Sequence, residues 1–205
     1  MTDGPAPRAV IFDLDGTLTE PVLDFDAIRA EIGLPEKVPI LEQLERLTAA
    51  QRAHAETVML RHERAAIAQA TLADGCADLL GHLRDREIPI AILTRNVREV
   101  VETFARMFTF EFHAIYTRED GPPKPSPAGA LALCQAMGVA PAHTLAVGDF
   151  KYDVIAGRDA GCRTVLLDRE GLSAHDLVEW GSPDLVVRSL RELLPLFART
   201  SAVSP

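Results

Sequence analysis

The 205-residue chain carries 30 acidic against 21 basic side chains, a formal net charge of −9, with 47% apolar and 25% charged residues. Such a length predicts one compact domain, or one domain with a modest insertion, and the apolar share excludes a disordered or fibrous chain. The acidic balance argues against nucleic acid as a partner, yet leaves room for small phosphorylated ligands that a bound cation or a local basic pocket would accept.

Along the chain, Met1–Arg8 has no apolar core of a secretion signal, and no later run approaches the roughly 20 apolar residues that span a bilayer. No membrane partner is therefore expected. The first predicted strand is Ala9–Phe12. From Leu18 to Asp74 the pattern is helical only, with Leu41, Leu44, Leu47, Val58, Met59 and Ile67 at the apolar positions. A crossover between parallel strands needs only about a dozen residues or somewhat more, so residues 19–74 are read as a small all-helical insertion. Gly33, Pro35 and Pro39 break it into at least two pieces.

Beyond it, strands and helices alternate. Strands are predicted at Ile88–Leu93, Phe112–Tyr116, Thr144–Val147, Thr164–Leu167 and Asp184–Val187. Helices are predicted at Cys76–Arg86, Val97–Met107, Pro127–Met137, Asp153–Ala160 and Leu190–Ala198. Strands that are apolar at nearly every position belong to a parallel sheet buried on both faces. In the second of these helices Val97, Val100, Val101, Phe104 and Phe108 form one buried stripe. The fold class expected is α/β, a parallel sheet with helices on both faces, built from residues 1–18 and 75–199, with a disordered tail at 200–205. Cys76, Cys134 and Cys162 form no CxxC pair and no even disulfide set. They are expected as small buried side chains in a reducing, cytoplasmic compartment. Trp180 is expected in the core.

The chemistry gathers where strands end. Ala9–Phe12 runs into Asp13-Leu14-Asp15-Gly16-Thr17, two carboxylates at the rim where open α/β sheets bind ligands. Ile88–Leu93 runs into Thr94-Arg95-Asn96 and at once into a helix, a hydroxyl beside free backbone N–H groups that suits an anion. Lys124 lies in Gly-Pro-Pro-Lys-Pro-Ser-Pro, where flanking prolines restrict the backbone. Thr144–Val147 runs into Gly148-Asp149-Phe150-Lys151-Tyr152-Asp153, in which Asp149 either caps a helix or serves the site. Clustered carboxylates repel one another unless a cation joins them. Oxygen ligands with open positions suit Mg²⁺, and the natural guest is a phosphoryl group held by Thr94, Lys124 and the metal.

These motifs, in this order, resemble the haloacid dehalogenase superfamily, specifically its phosphoglycolate phosphatase-like hydrolases with a small helical cap after the first motif. Asp13–Thr17 resembles the first motif, Thr94 the second, Lys124 the third, and Gly148-Asp149 with Asp153 the fourth; the similarity runs from Val10 to about Asp168. The resemblance implies a Rossmann-like core and a Mg²⁺-dependent phosphomonoesterase acting on a small phosphorylated metabolite through an aspartyl-phosphate. Asp13 would be the nucleophile and Asp15 the general acid and base. Asp13, the backbone carbonyl of Asp15, Asp149 and Asp153 would hold the metal. Thr94, Arg95, Asn96 and Lys124 would form the phosphate- and substrate-binding set, with Arg95 either contacting substrate or pairing with an acid. Phe150 and Lys151 stand where many relatives carry Ser after the fourth-motif Asp. The cap, short for its class, offers Arg46, Arg52, His54, Arg61, His62 and Arg64, most of which belong to a solvated helix face.

A sugar phosphomutase of the same superfamily shares every core motif and stays as an alternative, as does a phospho-aspartate receiver or binding module without turnover. A dehalogenase is disfavoured, since that branch lacks an acid at the position of Asp15. The leaving group stays open between sugar phosphates, phosphoglycolate, nucleotides and amino-acid phosphates, and the protein is expected as a monomer or homodimer.

Overall fold

A computed structural model describes residues 6–197. The expected tail at 200–205 and most of the leader reading at Met1–Arg8 therefore fall outside the described residues. The chain divides into two compact units, Pro21–Ala70 and the remainder.

The larger unit is a six-stranded sheet, every pairing parallel. Its strands are β1 (Ala9–Phe12), β2 (Ile90–Leu93), β3 (Ala114–Tyr116), β4 (Thr144–Gly148), β5 (Arg163–Leu167) and β6 (Leu185–Val187), in the order β3-β2-β1-β4-β5-β6. The predicted second and third strands lose two residues each at their starts, where Ile88 and Pro89, and then Phe112 and His113, precede the ladder. All four side chains of β1 and all four of β2 are buried, which is why these strands show no alternation in the sequence.

Because side chains alternate across a strand, Ile11, Ala91, Leu93 and Ala146 share one face. There they pack with Ala130, Leu133 and Cys134 of the helix Ala128–Met137. The opposite face carries Val10, Phe12, Ile90 and Ile92, all buried. The helices Cys76–Arg84 and Arg98–Phe108 and the 3₁₀ segment Leu190–Phe197 each bury apolar side chains as well. Taking a side chain the size of Phe12 out of water is worth about 1.5–3 kcal/mol. Of the predicted stripe, Val100, Val101 and Phe104 are buried, whereas Val97 and Phe108 are only half-buried at the helix ends. Phe108 instead joins Phe104, Phe110 and Phe112 in an aromatic cluster. The last predicted helix is 3₁₀ rather than α, with Pro195 inside it and so without the N–H an α-helical bond needs at that residue.

Trp180 differs from expectation. It caps a short helix, Ala174–Glu179, that the sequence did not suggest, is half-buried, and meets the ring of Phe150 at 5.2 Å. All three cysteines are buried and free, as read from composition. Their spacing did not reveal that Cys134 and Cys162 lie sulfur to sulfur at 3.9 Å.

The smaller unit holds three helices, α1 (Phe25–Ile32), α2 (Ile40–Leu44) and α3 (Ala49–Ala68). Asp24 caps α1 by accepting from the Ala27 N–H at 2.9 Å, and Gly33 ends it in the left-handed region. Thr48 and Gln51 make a capping box at the start of α3. Ile28, Ile40, Leu44, Ala55, Val58 and Met59 form a core of the insert's own. The stretch Leu18–Asp74 is not wholly helical: Thr19 and Leu72 form an antiparallel bridge where the chain leaves and re-enters the sheet unit. Among the described residues, no helix is long and apolar enough to cross a membrane.

Candidate active site

In this strand order the chain leaves β1 toward β2 on one side and returns on the other to β4. The switch point therefore lies at the C-terminal ends of β1 and β4, where such sheets open a crevice. The register sets Phe12 beside Val147, and the Asp13 N–H donates to the Val147 carbonyl at 2.9 Å. Asp13, Asp15 and Asp149 thus emerge together from two adjacent strands. Two glycines make room for Asp149 and Asp153. A Cβ on Gly16, whose φ is +75°, would lie 2.1 Å from Oδ2 of Asp149, and one on Gly148 would lie 2.1 Å from Cγ of Asp153.

Asp153 sits in the first turn of the helix Lys151–Asp159, which starts two residues earlier than predicted. One carboxylate oxygen accepts the Phe150 N–H at 3.0 Å; the other accepts from Lys124 at 2.5 Å. Asp149 does not take the capping role; its Oδ1 accepts from the Thr17 hydroxyl at 3.2 Å. Lys124, only 3% exposed, also reaches Asp13 at 2.6 Å. Carboxylate oxygens of Asp13, Asp149 and Asp153 lie within 4.8 Å of one another. The carboxylate of Asp15 is outside that group and accepts instead from the side-chain amide of Asn96.

Burial penalises every charge here, and the balance of charges sorts the groups. Asp13 is pushed well above the usual carboxylate range by burial, with Lys124 opposing and Asp153 and Asp149 adding to the rise. Burial and Asp153 lift Asp149 to about 7, again against Lys124. Burial alone would lower Lys124, but Asp13 and Asp153 outweigh it and raise the ammonium to about 12, so it is charged at neutral pH. Asp15 is raised by burial, with the Asn96 amide holding it back. One lysine thus faces three clustered acids, and the cluster is short of positive charge. Hard oxygen donors at this spacing, with a deficit of charge, fit a divalent cation of the Mg²⁺ type.

Thr94 follows β2 and is buried; its hydroxyl oxygen accepts the Asn96 N–H at 3.2 Å, leaving its proton to donate elsewhere. Arg95 and Asn96, placed by the resemblance in the substrate-binding set with Arg95 alternatively pairing with an acid, have side chains engaged by the protein. The Arg95 guanidinium donates to the Lys124 carbonyl at 2.7 Å and lies over the Tyr152 ring, 4.8 Å from its centroid. It therefore links the loops that carry Lys124 and Asp149.

Sequence reasoning missed the groups that hold these loops. Asp120 accepts from the backbone N–H and the hydroxyl of Thr117, each at 2.8 Å, and pairs with Arg98 at 2.8 Å. Arg118 donates to the Arg95 carbonyl at 2.9 Å, and Arg169 donates to the Gly16 carbonyl. A Thr-x-x-Asp turn signal at Thr117–Asp120 was available for the first of these; nothing local pointed to the others.

A buried acid cluster, a lysine and a hydroxyl at the switch point of a parallel sheet define a phosphoryl-handling α/β enzyme. The model of the haloacid dehalogenase-like hydrolases matches residues 7–161, and the chain belongs to that family. A haloacid dehalogenase-like hydrolase domain-containing protein of Arabidopsis thaliana is 32% identical over 97% of this chain and 86% of its own. A phosphoglycolate phosphatase of Chromobacterium violaceum is 30% identical over 92% of this chain and 96% of its own. The crystal structure of a hydrolase from Pseudomonas syringae superposes with a TM-score of 0.78 at 22% identity, covering 92% of this chain and 96% of that one, and shares the fold. With such relatives the chain is a hydrolase of the phosphatase class.

Proposed function

We propose that the protein is a Mg²⁺-dependent phosphomonoesterase that hydrolyses a small phosphorylated metabolite through an aspartyl-phosphate on Asp13. The observation that carries this reading is Lys124, buried and charged, between Asp13 at 2.6 Å and Asp153 at 2.5 Å. An acid that must attack a phosphate dianion needs its own charge kept and its partner's neutralised, and both tasks call for fixed cations.

A carboxylate oxygen of Asp13 attacks phosphorus as the ester P–O bond breaks. The proton of the Asp15 carboxyl goes to the departing alkoxide. Asp15, now ionised, takes a proton from water as that water attacks phosphorus. The bond to Asp13 breaks, inorganic phosphate leaves, and both acids return to their starting states. Thr94 donates its hydroxyl proton to a phosphoryl oxygen, and Lys124 favours the ionised form of Asp13 while facing the phosphoryl charge, the rest of the neutralising charge falling to the metal.

Asp13, Asp149, Asp153 and the backbone carbonyl of Asp15 would hold the metal, which supplies Lewis-acid neutralisation of the anionic substrate. The charge deficit of the cluster supports this, because burial keeps Asp13 high unless more positive charge than Lys124 is present. The helical insert is taken as the enzyme's cap.

The test is release of inorganic phosphate from p-nitrophenyl phosphate with and without Mg²⁺, with Asp13→Asn as control. Metal-dependent release that vanishes in the variant is expected. Release that survives in Asp13→Asn would overturn the nucleophile. A panel of phosphorylated metabolites then identifies the leaving group, and transfer of phosphate to a second hydroxyl instead of to water would indicate a mutase.

A further inference from the structure

Asn96 is only 4% exposed and is fixed on three sides. Its backbone N–H donates to the Thr94 hydroxyl at 3.2 Å, its carbonyl accepts the Arg118 N–H at 3.2 Å, and its side-chain nitrogen donates to Oδ2 of Asp15. In the structure the amide nitrogen faces Oδ2, where it donates to the ionised carboxylate and keeps Oδ2 the accepting oxygen when Asp15 is the acid. A buried amide with both ends of its backbone held is a rigid donor aimed at one oxygen of a carboxyl group 81 residues away.

We propose that Asn96 is a positioning residue for proton transfer: it occupies Oδ2 of Asp15, so that the proton given to the leaving group sits on Oδ1. An oxygen that already accepts a hydrogen bond from a neutral amide is the poorer place for the acid's proton. The proton is thereby directed to the other oxygen, and the carboxyl plane is fixed by the Asn96 amide together with the Asp15 backbone N–H, which also donates to this carboxyl. Asn96 then acts through Asp15 and does not contact the substrate, contrary to the expectation from sequence. The inference rests on the proposed role of Asp15 as acid and base.

The experiment compares first-turnover kinetics on p-nitrophenyl phosphate, whose leaving group needs no acid, with those on an alkyl phosphate, whose leaving group does. The variants are Asn96→Leu, close in size without a donor, and Asn96→Ser, which keeps a polar group too short to reach Asp15. The serine variant carries the test if the leucine variant fails to fold. The nitrophenol burst should stay within about threefold of wild type while alcohol release falls about 10²-fold, the low end of what general acid catalysis supplies. KM should change less than about twofold, since no interaction with substrate is removed. In an Asp15→Asn background, adding Asn96→Leu should cost nothing further, because the residue acts only through that carboxyl.

Equal first-turnover losses on both substrates, a raised KM with kcat kept, or an additive loss in the Asp15→Asn background would each overturn the positioning role. Failure of the underlying reading looks different. Wild type would then release no phosphate, or Asp13→Asn would still release it, and the role assigned to Asn96 would fall with it. If wild type is active and Asp13→Asn is dead, the Asn96 data judge the positioning role alone.

Discussion

The acid cluster of the sheet unit and the helical insert both carry ion pairs, and the two sets differ in what surrounds them. In the insert, Arg52 and Glu56 meet at 3.0 Å with both side chains 52% exposed, and Glu31 pairs with Arg61 and His62 on a solvated surface. In the sheet unit, Lys124 meets Asp13 and Asp153 with side-chain exposures of 3%, 13% and 7%. Similar separations thus have different consequences. Water and salt screen the first set until it contributes little. In the second, desolvation makes each charge costly alone, so the charges act as one unit and take their protonation states from one another.

The largest test of that contrast is Asp13→Asn, which should lower phosphate release about 10⁴-fold or more, the scale seen when a nucleophile is lost. Folded stability should be roughly retained, because the substitution removes one of three acids that already lack enough positive charge. A steady-state assay with a thermal melt on the same sample reads both. Lys124→Met should abolish turnover and cost about 3 kcal/mol near neutral pH, since it leaves buried carboxylates without their cation. Denaturant unfolding measures it, and an unchanged midpoint would mean that the acids are paired by something else.

A third test uses pH. Asp149 is raised from an ordinary 3.8 to about 7, so between those values the folded, metal-free protein keeps a proton that the unfolded chain has lost. Its contribution to stability is full below the lower value and is lost as pH rises through the upper one. In chelator, wild type should therefore lose stability relative to Asp149→Asn from about pH 4 to about 7, and the difference should then level off. Added Mg²⁺ should stabilise wild type above that range, where the carboxylate is ionised, and stabilise the variant less. A flat difference across the window would remove Asp149 from the charge cluster.

The smallest effect belongs to the insert. Arg52→Ala should change stability by only about 0.3–0.5 kcal/mol, fading in high salt. A loss as large as that at Lys124 would mean the two regions are not as different as their exposures indicate.

Much of this organisation was legible in the sequence. Parallel strands buried on both faces are apolar at nearly every position, so β1 and β2 stand out as unbroken apolar runs and β4 as one with only Thr144 polar at its start. The polar residues that end them, Asp13, Thr94 and Asp149, mark the rim of the sheet. The length of the helical stretch suggests an insertion, and Gly33, Pro35 and Pro39 lie between α1 and α2. The short helix Ala174–Glu179 was not legible, because six residues between loops carry too little periodicity to register.

Residue types and their order along the chain therefore determined the class of fold, the rim that carries chemistry and the acids, lysine and hydroxyl that gather there. Only the tertiary structure decided which of these touch. Thr17 finds Asp149 across 132 residues, and Asn96 finds Asp15 across 81. Arg95 spends its guanidinium on the Lys124 carbonyl and the Tyr152 ring. Hydrogen bonds demand separations near 3 Å and alignment within tens of degrees. Those conditions are set by how loops from different strands close on one another, which no spacing along the chain records.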